Sequence, residues 1–330
     1  MPWTDDGQGA ERLERLVPMI AAHCRDRNVT EIQTNPHDGF CWVDTWSDGL
    51  VRTTDRLSPE RVEMFLNAVA TAHGTSFGSR HPLLAAELPA ADPFLGARLQ
   101  AFGPPVTSGG FGVVIRKRPA FTPTLDEYVD RERLRPAWRE VLGRAIEDRT
   151  TILIAGRTGS GKTTLAGACI REIHTRCPDD RLVILEDTPE LQCQVENHLA
   201  LCTQPELGIS FAGLLKATLR ASPRRIILGE VRDEAALDFL DAAATGHPGG
   251  LCTTHAGSAH EALHRLDRLA QRANVPSQRE LIGEAVGLVL VLSGGNQNRQ
   301  VTDLVRVAGF IPGVGFDLHH CSERGTWTAA

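Results

Sequence analysis

Aromatic residues make up only 5% of this 330-residue chain, and there is a single Tyr. Surfaces that hold single-stranded nucleic acid interleave aromatic stacking platforms with basic residues. With few aromatics and a formal net charge of −6, direct DNA binding is not expected as the main activity, although Arg116-Lys117-Arg118 is locally basic. No C-x-x-C pair is present. Cys24, Cys41, Cys169, Cys177, Cys193, Cys202, Cys252 and Cys321 are scattered singly, as suits small core hydrophobes in a reducing compartment, and they exclude a disulfide framework. Long apolar runs are missing as well: the longest, near Ala285 to Leu292, is far too short to cross a bilayer. The opening MPWTDDGQGAER lacks the apolar centre and small-residue cleavage site of a leader. A cytoplasmic location is the expectation. No sequence repeat or low-complexity tract is evident.

Against these absences stands one dense feature. Residues 151–170 read TILIAGRTGSGKTTLAGACI, an apolar strand, a glycine-rich loop and a helix, with Gly156, Gly161, Lys162 and Thr163 at Walker A spacing. Phosphate oxygens need several donors at close range, and glycines allow the backbone to supply them. Gly156, Thr158, Gly159, Ser160, Gly161 and Thr164 would form that cradle, Lys162 would reach the β and γ oxygens, and the Thr163 hydroxyl would ligate Mg²⁺. The loop also opens a helix, whose N-terminus favours anions. ATP and Mg²⁺ are the implied ligands.

A chain of this length exceeds what one core usually serves, and two domains are expected. Residues 1–118 read as a smaller α/β domain, with a helix near Glu11 to Arg25, strands at Val29 to Gln33 and Phe40 to Thr45, and a helix opened by Ser58-Pro59. Further strands are expected at Leu83 to Leu88, Ala97 to Phe102 and Phe111 to Lys117. The segment 119–128, carrying Pro119 and Pro123 and no periodicity, reads as a linker. Residues 129–330 then alternate helical stretches with apolar strands at Ile152 to Ala155, Leu182 to Leu185, Ile226 to Leu228, Leu251 to Thr254 and Val286 to Leu292, the pattern of a covered, mostly parallel sheet.

In such a sheet ligands lie off the carboxyl ends of the strands. Glu186-Asp187 follows the second of these strands and Gly229-Glu230 the third, so both acidic positions should project toward the phosphates. Phosphoryl transfer to water needs a metal to neutralise developing charge and a group that orients the water. Glu230 is the candidate for that group, although a strand-end carboxylate can equally cap the next helix. Gly229 stands where Walker B sequences usually carry a metal-holding Asp, so Mg²⁺ would rest on Thr163, phosphates and waters, with Glu186 or Asp187 beyond them. His255 ends the fourth strand, where a γ-phosphate sensor would sit; His247 lies just before that strand.

One motif competes for attention. His260-Glu261-Ala262-Leu263-His264 is a literal H-E-x-x-H, the helix signature of zinc proteases. Helical periodicity places Ala259, Ala262, Leu263, Leu266 and Leu269 on one apolar stripe and leaves both histidines on the polar side. No third ligand stands at a helpful spacing, with His319, His320 and Cys321 near the C-terminus left as the remaining candidates, so no metalloprotease is expected.

The order of GRTGSGKTT, LEDTPEL, RRIILGEVRDEAA and TGHPGGLCTTHA, followed by a helix carrying Arg265, resembles the Walker A, Asp box, Walker B and His box of the type II/IV secretion ATPases. Within that superfamily the chain looks most like the TrbB-type conjugal transfer ATPases. Upstream, VTEIQTNP, LSPERVEMFLNAVA, LLAAELP, RLQAFGPP and FGVVIRKRP are similar to that family's N-terminal domain. The resemblance implies a RecA-like P-loop domain behind a smaller N-terminal domain, assembled as a ring, usually a hexamer. It implies Mg²⁺-dependent ATP hydrolysis that drives a secretion or conjugation machine, with the ATPase peripherally attached to the cytoplasmic side of the inner membrane. It assigns Lys162 and Thr163 to phosphate and Mg²⁺, Glu186 and Glu230 to the attacking water and metal shell, and His255 to sensing nucleotide. Arg98 and Arg116 would reach the phosphates, and Gly-Glu at 229–230 agrees with the family. Two other classes remain distinguishable: a DNA-dependent RecA-like motor, stimulated by DNA in a salt-sensitive way, and a nucleotide-gated scaffold with little turnover.

Overall fold

A computed structural model describes every residue except 1, 2, 4–6, 46, 119–121, 205, 206, 296, 297 and 330. The chain forms two compact units, residues 1–121 and 122–330. Of the linker expected over 119–128, residues 119–121 lie outside the described residues and the remainder belongs to the second unit. There Thr124 forms a capping box with Glu127 at the start of a helix whose Leu125 and Tyr128 are buried. An apolar pair at helical spacing ties this segment down despite its prolines.

The first unit contains α1 (Gln8–Leu16), α2 (Pro18–Arg25), β1 (Val29–Thr34), β2 (Phe40–Thr45), β3 (Gly49–Arg56), α3 (Pro59–Ala72), β4 (Leu83–Glu87), β5 (Arg98–Phe102) and β6 (Gly112–Arg116). The single helix expected over Glu11 to Arg25 is two. Pro18 has no N–H for a helical bond and biases Val17 out of the α region, so Val17 ends one helix and Pro18 starts the next. α3 opens as expected, with Ser58 Oγ accepting from the Arg61 N–H. The six strands run in the order β3-β2-β1-β6-β5-β4, antiparallel throughout. β5 and β6 bury alternate residues, as a sheet with one covered face does. Leu99 and Ile115 join Leu13, Ile20, Phe65 and Leu66 of the helices in one core.

The second unit contains α4 (Leu125–Asp130), α5 (Pro136–Glu147), β7 (Ile152–Gly156), α6 (Lys162–Arg176), β8 (Leu182–Glu186), β9 (His198–Cys202), α7 (Phe211–Thr218), β10 (Arg225–Leu228), α8 (Ala235–Thr245), β11 (Leu251–Thr254), α9 (Ala259–Ala270), α10 (Arg279–Ala285), β12 (Leu288–Ser293), β13 (Gln300–Ile311), β14 (Gly315–Cys321) and β15 (Trp327–Ala329). Its sheet runs β15-β14-β13-β12-β7-β11-β10-β8-β9. The stretch from β12 to β9 is parallel, and β13 to β15 extend it as an antiparallel meander. Every residue of β7 is buried because both sheet faces are covered. Leu153 and Ala155 enter a core shared with α7 to α10, whereas Ile152 and Ile154 enter the core shared with α4 to α6, the two-residue alternation of a strand. β7 thus stands inside the sheet, and its carboxyl end, with those of β8, β10 and β11, forms the rim where the chemistry gathers. Among the described residues no helix is long and apolar enough to cross a membrane.

Candidate active site

The loop after β7 is shaped by glycine. Gly159 and Gly161 adopt φ of +77° and +92°, left-handed conformations that residues with a Cβ rarely enter. Gly161 is the N-cap of α6, and no side chain caps that helix. Ser or Thr side chains cap α3, α4, α7 and α9; the first N–H groups of α6 are left for an anion. Two hydroxyls point the same way: Ser160 Oγ and Thr254 Oγ1 are buried without a hydrogen-bonding partner, although such groups ordinarily have one. Ser160 lies in the loop, and Thr254 pairs in register with Ala155 next to it. These donors, with Lys162 and Thr163, fit a Mg²⁺-bound nucleotide phosphate chain.

Lys162 is buried. Its Nζ donates to the carbonyls of Gly156 at 3.0 Å and Arg157 at 3.2 Å and to His255 Nδ1 at 3.1 Å. An ammonium has no lone pair, so Nδ1 must be the acceptor, and a neutral ring then carries its proton on Nε2. That Nε2 lies 3.2 Å from Glu230 Oε1. Glu230 Oε2 accepts from Arg232 Nη2 at 2.9 Å, and the other end of the same guanidinium donates to Asp187 Oδ2 at 3.1 Å. The result is a continuous chain Lys162–His255–Glu230–Arg232–Asp187 joining the rims of β7, β11, β10 and β8. Burial and the adjacent Lys162 charge hold the His255 pKa below the ordinary imidazole value, against the pull of Glu230. Burial raises that of Glu230, but the Arg232 hydrogen bond and the charges of Arg232, His255 and Lys162 outweigh it and leave the carboxyl below its ordinary range. At neutral pH the chain therefore holds a neutral imidazole beside an ionised carboxylate.

Glu186, at the end of β8, is buried and anchored by the backbone: its Oε1 accepts from the N–H groups of Glu190 and Leu191, both at 3.0 Å. This explains Gly229. A Cβ there would lie 3.0 Å from Glu186 Cγ, so the position usually given to Asp is kept empty by the packing of Glu186. Gly229→Ala should destabilise the second unit by about 1–3 kcal/mol through overpacking, read as a lowered thermal-unfolding midpoint; an unchanged midpoint would show that Glu186 yields freely.

Arg232 was not among the residues picked out from sequence. Its signal was its spacing. Val231 is buried with its N–H bonded to the Thr253 carbonyl, and the residues on either side of it, Glu230 and Arg232, meet through their side chains. His247 does not join the chain; its Nδ1 meets the Pro223 carbonyl at 3.0 Å.

In the first unit Arg98 and Arg116 are direct cross-strand neighbours on β5 and β6. Like charges so placed repel. They are bracketed in the same row by Glu87, opposite Arg98, and Glu31, opposite Arg116, and these carboxylates also meet Arg118 and Gln33 respectively.

Comparison with known proteins follows the same lines. The family of Type II/IV secretion system proteins matches residues 102–296. The conjugal transfer protein TrbB of Rhizobium radiobacter is 41% identical over 285 residues, covering 86% of this chain and 85% of its own. The type IV secretion system protein PtlH of Bordetella pertussis is 31% identical over 328 residues, covering 88% of this chain and 93% of its own. The crystal structure of the Legionella pneumophila ATPase DotB shares the fold, with a TM-score of 0.64 at 22% identity over 91% of this chain and 81% of that one.

Proposed function

The chain belongs to the type II/IV secretion system protein family, and from that premise we propose that it is a Mg²⁺-dependent ATPase driving conjugal transfer or a related type IV secretion machine. The observation that carries this reading is the chain from Lys162 through His255 to Glu230, which links the group that binds phosphate to the group that would activate water. Mg²⁺, held with ATP by Thr163, would neutralise charge on the phosphates. Lys162 exchanges His255 Nδ1 for a phosphate oxygen. His255 then loses one of its two partners, so its position reports whether the cradle is filled. Glu230, ionised at neutral pH, orients the attacking water and takes its proton. Glu186 and Asp187 supply negative charge around the hydrated metal.

The same reading gives Arg98 and Arg116 the role of placing positive charge where the transferring phosphoryl group develops negative charge. The like-charged pair is costly for a sheet, which supports a purpose beyond folding. Arg98→Ala and Arg116→Ala should each slow kcat by at least about tenfold while the unfolding midpoint does not fall, because each removes one member of a like-charged cross-strand pair. Wild-type turnover in both variants would make the first unit an adaptor without a part in hydrolysis. The family resemblance further supports a hexameric ring that docks on secretion-machine subunits at the cytoplasmic face of the inner membrane.

A further inference from the structure

The ATPase chemistry leaves one motif on α9 unused. His260 and His264 stand one helical turn apart, with Nε2 atoms 3.1 Å from each other and ring centroids 4.3 Å apart. Residues four apart share a helix face, and α9 turns the opposite face, with Ala259, Ala262, Leu263 and Leu266, into the core. His260 is exposed and His264 half-buried, its ring edge-on to Phe316 at 5.7 Å. Glu261, the general base of a metalloprotease helix, is engaged elsewhere. Its Oε2 accepts from the Gly257 N–H at 2.8 Å while Ser258 Oγ accepts from the Glu261 N–H at 3.2 Å, closing the N-terminus of α9. Among the described residues no group of three or more His, Cys, Asp or Glu is placed to hold a metal. His319 lies 3.1 Å from Asp317 and His320 2.9 Å from Asp303, so each of these rings has its own carboxylate. Protease chemistry is therefore out of reach, but chelation by the pair is not.

Two imidazole nitrogens, each about 2.0–2.1 Å from one ion and separated as here, subtend roughly 100° at the metal, between the square and tetrahedral angles. Borderline divalent ions favour imidazole over carboxylate and water. We propose that His260 and His264 form a surface chelate for one divalent ion of the Cu²⁺, Ni²⁺ and Zn²⁺ class, whose remaining positions are open to water or to a donor from another molecule. The competing explanation is an N–H···N hydrogen bond between two neutral rings, in which the ion's place is taken by a proton.

The test uses untagged full-length protein without nucleotide and Cu²⁺ as the probe, the strongest binder of the series. Electron paramagnetic resonance at one equivalent should show coupling to two imidazole nitrogens, and titration against a competing chelator gives the affinity. His260→Ala and His264→Ala should each remove one nitrogen from the spectrum and weaken binding by about tenfold or more, whereas His320→Ala should change neither. Circular dichroism establishes that the variants are folded, and His260→Gln on the exposed ring repeats the measurement with little change in helix packing. An unaltered spectrum and affinity in both alanine variants would overturn the proposal, as would no binding at about 1 mM Cu²⁺.

Discussion

Lys162→Ala is expected to bring phosphate release from Mg-ATP down to background, a loss of at least ~10²-fold, and to weaken nucleotide binding as well. Lys162 is the cation at the centre of the cradle, buried with its ammonium held by the Gly156 and Arg157 carbonyls and His255 Nδ1. On the proposed mechanism an alanine would remove the charge meant for the β and γ oxygens, and it would also cut the Lys162–His255 contact, so Glu230 would lose its link to the state of the phosphates. Two measurements separate these effects: equilibrium binding of a fluorescent nucleotide and steady-state phosphate release. Near-normal hydrolysis by the variant would remove the basis for assigning the loop its role.

Glu230→Gln should leave binding largely intact. The amide keeps the volume, and its one oxygen can still accept from either Arg232 or His255 though not from both, so nucleotide affinity should stay within a few-fold of wild type, but it cannot take a proton from water. General-base assistance is worth about 10²–10⁴-fold, and single-turnover phosphate release should fall by that amount. Because the carboxyl already lies below its ordinary pKa, wild-type Glu230 is ionised throughout the neutral range, and the variant's defect should not be rescued by raising pH. Loss of nucleotide binding with an unchanged rate in the fraction still bound would move Glu230 from chemistry to binding.

Much of this site is legible in the sequence because its parts are local. The apolar strand, the loop and the first turns of α6 lie within twenty consecutive residues, 151–170, and β7, β8, β10, β11 and β12 are short apolar runs, whereas β9, a partly exposed edge strand, carries no such signal. Glu186, Glu230 and His255 follow from the rule that strand ends face the ligand. What the linear pattern hides is lateral. β3 is an edge strand exposed at most positions, so no hydrophobic alternation marks it, and the meander of β13 to β15 alternates weakly over polar residues. The row Glu31–Arg116–Arg98–Glu87 depends on register between strands, which composition cannot encode. The lowered pKa of His255 depends on burial and on the charges of Lys162, Arg265 and Arg232, brought together from α6, α9 and the segment after β10. Pro18 is the contrary case: the break it imposes within residues 11–25 follows from a local rule that the sequence already carries.

The most direct measurement is phosphate release from Mg-ATP by the purified chain, with its mass followed by light scattering in the same sample, with and without DNA. The expected result is hydrolysis by a ring-sized assembly at a rate that DNA does not change. Nucleotide-dependent assembly with no turnover, or hydrolysis that appears only with DNA and fades with salt, would contradict it.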